Sequence, residues 1–243
     1  MKFGISLAGI YDSPNYLEDS LTYVKKIEDL GFDSVWVGDS QMLHRDAYCD
    51  LTLWSLHTTR LKLGPCVTNP YTRHPSVTAT AICTIDEISG GRAALAIGTG
   101  DSAVRRIGMK PRPISELERS AVEIRNLCQG KPVEYFGELL RMRWNKGRKI
   151  PIYIAASGPK LLSLAGRVGD GAIVHTGSSA QSAPGVVAST FELSKASRAK
   201  SFQLRVRRST GRCCAWFLLS LLQHDRLASD EPHLRSSSRA ELP

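Results

Sequence analysis

Through its first 180 residues this chain alternates short apolar runs with longer amphipathic stretches. Phe3–Leu7 reads as a strand. Pro14 to Leu30 reads as a helix with Leu17, Leu21, Val24 and Ile27 on one face and Gly31 as its stop. A second strand, "SVWVGD", precedes a helix over Ala47 to Thr59. The third strand, "LKLGPCV", leads to a helix that Pro75 opens and Gly90-Gly91 closes, and "AALAIG" is the fourth. Proline suits a first helical turn because its missing N–H has no partner there anyway. Short apolar strands separated by helices imply a parallel sheet, either open or closed as a barrel.

The alternation is then interrupted. Residues 102–149 read as an insertion, with a helix from about Ser115 to Cys128 and a hairpin centred on Gly137. "PIYIAASGPKLLSLAGRVGDGAIVHTG" resumes the pattern as strand, helix and strand. Beyond it the punctuation is lost. From Ser194 to Pro243, 17 of 50 residues are Ser or Arg, and only two of the chain's 20 glycines fall after residue 180. Buried parallel strands need continuous apolar runs, which this composition does not supply. The expected organisation is a parallel β/α unit over 1–180, with about six strands, and an irregular tail over 181–243. The tail's composition favours an altered reading frame or a truncated gene over an evolved domain.

Charge does not point to nucleic acid. The net charge of +9 divides into +4 for residues 1–180 and +5 for 181–243, and no aromatic-and-basic platform accompanies the basic tail. No run reaches the roughly 18 apolar residues of a membrane helix, so a cytoplasmic protein without membrane contact is expected. The six cysteines show no paired metal spacing and read as reduced, mostly buried thiols.

Polar and glycine residues recur where strands end, the side on which both parallel architectures bind ligands. Asp39 ends strand two and Asp101 ends strand four. Each could accept hydrogen bonds from a ligand or cap the following helix. "AASGPK", Ala155–Lys160, places small residues before a proline-started helix, with Lys160 in its first turn. This is either an anion site at a helix N-terminus or a plain strand-to-helix turn. His44, His74 and His175 lie near strand ends without metal-site spacing, so no metal is assigned. Ser40 and Ser157 lack a nucleophile-elbow context.

Three long stretches resemble one family: "GFDSVWVGDSQ", "LGPCVTNPYTRHPSVTATAICTIDEISGGRAALAIGTGDS" and "IPIYIAASGPKLLSLAGRVGDGAIV". They are similar to the luciferase-like monooxygenase superfamily, in the branch of coenzyme F-420-dependent reductases resembling methylenetetrahydromethanopterin reductase. The resemblance runs from about Met1 to Gly177. It implies a (β/α)8 barrel of the TIM type, here incomplete, that holds a deazaflavin (coenzyme F-420) or FMN at the strand carboxyl ends. It further implies a non-prolyl cis peptide at Cys66-Val67 in a strand-three bulge that backs the ring. Thr68, Asn69 and Asp39 would lie beside the ring. Gly98, Thr99, Gly100 and Asp101 would form a wall, and Ala156, Ser157, Gly158, Pro159 and Lys160 would take the phosphate. Many members carry histidine after the strand-two Asp, where this chain has Ser40, so no catalytic residue is assigned.

The function this implies is hydride transfer between a bound (deaza)flavin and a small organic substrate. An FMN-dependent monooxygenase and a catalytically inactive truncated or frame-shifted member are the alternatives. A small-molecule partner is expected, and assembly into a homo-oligomer is compatible with the resemblance.

Overall fold

The structure, a computed structural model, describes residues 2–7, 13–174 and 217–220. Strands β1 (Gly4–Ser6), β2 (Ser34–Val37) and β3 (Lys62–Pro65) alternate with helices α1 (Tyr16–Asp29), α2 (Ala47–His57) and α3 (Pro75–Ile88). Strand β4 (Leu95–Ile97) follows, then helices α4 (Ser102–Arg105) and α5 (Ile114–Cys128) and the hairpin of β5 (Val133–Tyr135) with β6 (Glu138–Leu140). Strand β7 (Ile152–Ala155), helix α6 (Pro159–Val168) and strand β8 (Gly171–Val174) resume the alternation. Residues 102–149 thus hold both the expected helix and the expected hairpin. Helix α5 packs against both α3 and α6, in the place of the helix that follows β4, and the short α4 was not foreseen from sequence.

The six β/α strands run parallel in the order β1-β2-β3 and β4-β7-β8, as the alternation implies. Backbone bonds join the two groups, from Ala94 N to Leu63 O at 2.9 Å and from Thr68 N to Ala96 O at 2.9 Å. Leu63 lies opposite Ala93 and Thr68 opposite Ile97, so the β3 chain advances five residues where the β4 chain advances four. One extra residue is therefore accommodated between Leu63 and Thr68, which is a bulge. The Cys66-Val67 peptide inside it is cis, as the family resemblance implies.

Alternation along the strands sorts the core into two layers. Val35, Val37, Leu63, Leu95, Ile97, Ile152 and Ile154 face the helices. Trp36, Cys66, Ala94, Ala96, Tyr153 and Ile173 fill the inside of the curved sheet. The alanines leave room for the two rings, which meet edge to face at 6.0 Å and 79°.

Helix α1 buries Val24 and Ile27 as expected and packs Leu21 against the core, but Ser20 is buried as well while Leu17, expected on the same face, is 55% exposed. The reason is a polar contact: the Trp54 indole of α2 donates to Ser20 Oγ at 2.7 Å, and that pins Ser20 inward. The Pro75 start of α3 stands as expected, capped by His74 Nδ1, which accepts from Ser76 N.

The described stretch of the tail, β9 (Phe217–Ser220), pairs antiparallel with β8. A strand of the (β/α)8 pattern would pair in parallel there. His175, Thr176 and Gly177, the boundary at residue 180 and most of the tail lie outside the described residues.

Candidate functional site

Strands β2 and β3 deliver the first part of the site. Thr68 and Asn69 are buried just beyond the bulge, and Asp39 is half-buried two residues past β2. The Thr68 hydroxyl donates to Asp39 Oδ2 at 2.6 Å, while Oδ1 receives no hydrogen bond from the described residues. Burial raises the Asp39 carboxyl above its ordinary range, against the lowering effects of the Thr68 bond and the Arg73 charge. Asn69 turns its Oδ1 to the N–H groups of Tyr71 and Thr72, each at 2.9 Å, so its carbonyl oxygen shapes the loop after the bulge. Burial pushes the Cys66 thiol up to about 12, which keeps it neutral and apolar beside the ring-filled core.

The end of β4 closes against both neighbours. A Cβ built on Gly98 would stand 3.1 Å from the Ala155 Cβ and 3.4 Å from Val67 Cγ2, so the three strand ends meet here with room for little more than glycine. Gly100, at a φ of +80°, abuts the Asn69 side chain. The Thr99 carbonyl accepts from Arg112 N at 3.0 Å, and the Arg112 guanidinium lies 3.4 Å over the Tyr71 ring. Asp101 behaves differently from Asp39. Its side chain is 80% exposed and paired with Arg105, and it makes no capping bond to α4. The two carboxylates that sequence treats alike are therefore separated by the fold.

The third part is the start of α6. Ala156 is buried and its N–H bonds to Ile173 O at 2.8 Å, while Ser157, Pro159 and Lys160 are exposed. Gly158 is extended, at φ −154° and ψ 169°, and a Cβ there would meet nothing within 4 Å. No acidic residue occupies the first turn of this ten-residue helix.

The sequence pattern of luciferase-like monooxygenases matches residues 1–216, beyond the Gly177 limit that the motifs suggest. The chain belongs to the luciferase-like monooxygenase family. A 5,10-methylenetetrahydromethanopterin reductase of Archaeoglobus fulgidus is 45% identical over 181 residues, covering 72% of this chain and 53% of the relative. An F-420-dependent glucose-6-phosphate dehydrogenase of Amycolatopsis mediterranei is 32% identical, covering 65% of this chain and 54% of the relative. The crystallised coenzyme F-420-dependent tetrahydromethanopterin reductase of Methanopyrus kandleri superposes with a TM-score of 0.67 at 30% identity, covering 81% of this chain and 62% of that one. This luciferase-like chain spans about half the length of the curated relatives it matches.

The residues fit a planar ring carrying a phosphate-bearing side chain. An Asp39 oxygen without a donor among the described residues suits an imide N–H. The open, extended Gly158 before a helix N-terminus suits a phosphate, since free N–H groups and the positive end of the helix dipole face outward there. Among the described residues no group of three or more His, Cys, Asp or Glu side chains could hold a metal ion.

Sequence reading passed over Tyr48 and Arg73, which close the network around Asp39. Asp46, the N-cap of α2, accepts from Tyr48 N at 2.9 Å and pairs with Arg73 at 2.8 Å, and Arg73 lies 4.5 Å over the Tyr48 ring. Nothing local to "RDAYCD" signals this, because the partners come from the loop after β3. His44 is half-buried, and burial together with the Arg106 charge lowers its proton affinity. His74 is taken up by capping α3 and by its contact with the Tyr135 ring at 5.0 Å.

Proposed function

We propose that this chain binds coenzyme F-420 or FMN at the carboxyl ends of its parallel strands and transfers hydride between the bound ring and a small organic substrate. The observation that supports this most is the Asp39–Thr68 pair beside the strand-three bulge, with the open start of α6 on a strand of the same sheet system. In this reading Cys66 and Val67 back the ring while Thr68, Asn69 and one oxygen of Asp39 border it. Gly98 to Asp101 supply a wall through their backbone, and Ala156 to Lys160 take the phosphate. The bound cofactor supplies the hydride chemistry. The protein's part is to hold the ring against the bulge, leave one face open and offer Asp39 Oδ1 to a ring N–H. The similarity to reductases and dehydrogenases named for F-420 favours that cofactor over FMN. A cytoplasmic setting belongs to the same reading, and no helix among the described residues is long and apolar enough to cross a membrane.

Titration of the purified chain with each cofactor, followed by fluorescence, tests this. Saturable binding of F-420, with turnover of its reduced form, is the expected result. Binding of FMN with oxygen-dependent turnover would instead make it a monooxygenase. Absence of binding to both would overturn the proposal.

A second reading, a chain of this family without activity, is favoured by one observation: β9 pairs antiparallel with β8, on the side where a parallel barrel strand belongs. It carries with it the division into a barrel unit over 1–180 and a separate stretch over 181–243. Limited proteolysis yielding a stable product that ends near residue 180 supports that division. An uncut chain that turns over with a reduced deazaflavin removes it.

A further inference from the structure

Strand β3 stands between β2 and β4, so the loops that leave β2 and β4 meet across the carboxyl end of β3. Two side-chain bonds join them. The Ser40 and Ser102 hydroxyls lie 2.8 Å apart, and the Gln41 amide donates from Nε2 to the Ala103 carbonyl at 2.5 Å. At the strand end that these bonds span, Thr68 and Asn69 are 0% and 1% exposed. The turn that carries Ser40 and Gln41 is tight. Leu43 N and His44 N both donate to Ser40 O, at 3.2 and 2.9 Å, and Met42 takes a φ of +64°, a region that methionine seldom enters. On the far side, α4 buries Ala103 and Val104, while Asp101 makes no capping bond to it. The first turn of α4 is thus tied from the loop after β2 and not by its own N-cap.

Asp39 stands two residues past β2 and directly before these ties. One hydrogen bond from the described residues, that of Thr68, reaches its carboxyl. A single bond fixes a distance but not a rotation, so an untethered loop would let the carboxylate swing away from Thr68. We propose that Gln41 and Ser40 are positioning residues: by tying the loop after β2 to α4 across the end of β3, they hold the Asp39 carboxyl on Thr68 with Oδ1 turned to the bound ring. The ring contact rests on the function proposed above, whereas the hold on Asp39 does not. Gln41 is the firmer tie, because its bond is partly buried and Ala103 is 4% exposed, whereas water competes for the exposed hydroxyl pair. The charged groups facing Asp39 are Arg73 and His44, which favour its ionised form, and Asp46, which opposes it.

The test is a carbon-13 NMR titration of carboxyl-labelled aspartate in the whole chain, with the Asp39 signal identified by its loss in Asp39→Asn. Gln41→Met keeps the side-chain length and removes the donor. Ser102→Ala removes the partner of Ser40 from the far loop, and it serves if Gln41→Met does not fold. Each should move the Asp39 midpoint upward, because a carboxylate that loses a hydrogen bond holds its proton more firmly. In a Thr68→Val background that bond is already gone, and neither should move the midpoint further. Ser102→Thr keeps the hydroxyl and should leave the midpoint at the parent value. With cofactor, Gln41→Met should lose affinity about fivefold, and should lose nothing more in an Asp39→Asn background. A midpoint that a folded variant leaves unmoved, or moves as far without the Thr68 hydroxyl as with it, overturns the proposal. So does an affinity loss that persists in Asp39→Asn. A midpoint that shifts as stated while neither F-420 nor FMN binds keeps the hold on Asp39 and removes the cofactor reading. A cofactor that binds to a chain whose midpoint stays fixed does the reverse.

Discussion

Gly64 of β3 and the carbonyl of Ala94 lie so close that a Cβ on Gly64 would stand 1.9 Å from the Ala94 oxygen and 3.2 Å from the Trp36 ring. Neither obstacle is the free end of a flexible side chain. Gly64→Ala should therefore destabilise the chain by about 3 kcal/mol, at the upper end for an overpacked core. Urea unfolding reads this as a lower midpoint. A loss below about 1 kcal/mol would mean that β3 and β4 part without resistance, and the bulge would not need glycine before it.

The start of α6 offers the opposite case. A side chain at Gly158 meets open space and an extended backbone, so Gly158→Val should still fold, losing no more than the roughly 1 kcal/mol of a poorer helix N-cap. Its methyl groups would nonetheless cover the N–H groups that the proposed site offers to a phosphate. Cofactor affinity should fall at least tenfold, or about 1.4 kcal/mol. Isothermal titration that finds parent-like affinity in the folded variant would take the phosphate away from Ala156–Lys160.

Asp39 and Asp101 should respond differently to the same substitution. Asp39→Asn places an amide where Thr68 donates and a ring N–H is expected, and it should weaken cofactor binding about tenfold. Asp101→Asn loses only an exposed pair with Arg105, which is worth little in water. Equal losses in the two variants would show that Asp101 turns inward when ligand binds.

The Glu28 carboxylate accepts the N–H groups of Thr59, Arg60 and Leu61 at distances from 2.6 to 3.1 Å. Burial alone would raise its proton affinity, but these backbone bonds outweigh it and hold the carboxyl below its ordinary range. A folded value below the unfolded one means stability that is present above the unfolded value and lost as pH falls through the folded one. Glu28→Gln should be about 1 kcal/mol less stable at neutral pH, and the gap should close in acid, below about pH 4. Urea midpoints of both proteins across that window check the sign. A gap that persists in acid would mean that the charge is not what matters.

Much of this molecule was legible in its order of residues. Apolar periods of two and of three to four, the Pro75 helix start and the stops at Gly31 and Gly90-Gly91 are local signals, so the strands and helices appear within a few residues of where the pattern puts them. The family's motifs also marked Cys66-Val67, Thr68 and the approach to α6 as one site. Local signals misplace what depends on a distant partner. Leu17 fits the helical period but is exposed, because the indole of Trp54, 34 residues ahead of Ser20, fixes which side of α1 turns inward.

Asp39 and Asp101 each follow a strand, and sequence by itself determined only that both stand at strand carboxyl ends. Tertiary structure decided between them. Thr68, 29 residues beyond Asp39, reaches it because the extra residue of the bulge brings the strand-three end to that place, while Arg105, one helical turn from Asp101, draws that carboxylate outward. Tyr48 acquires its neighbours in the same way, from a helix start and a strand end that meet only when the sheet curves. Spacing along the chain sets which groups are available. Register between strands sets which of them touch, because it is fixed by packing across the whole sheet and not by any stretch read alone.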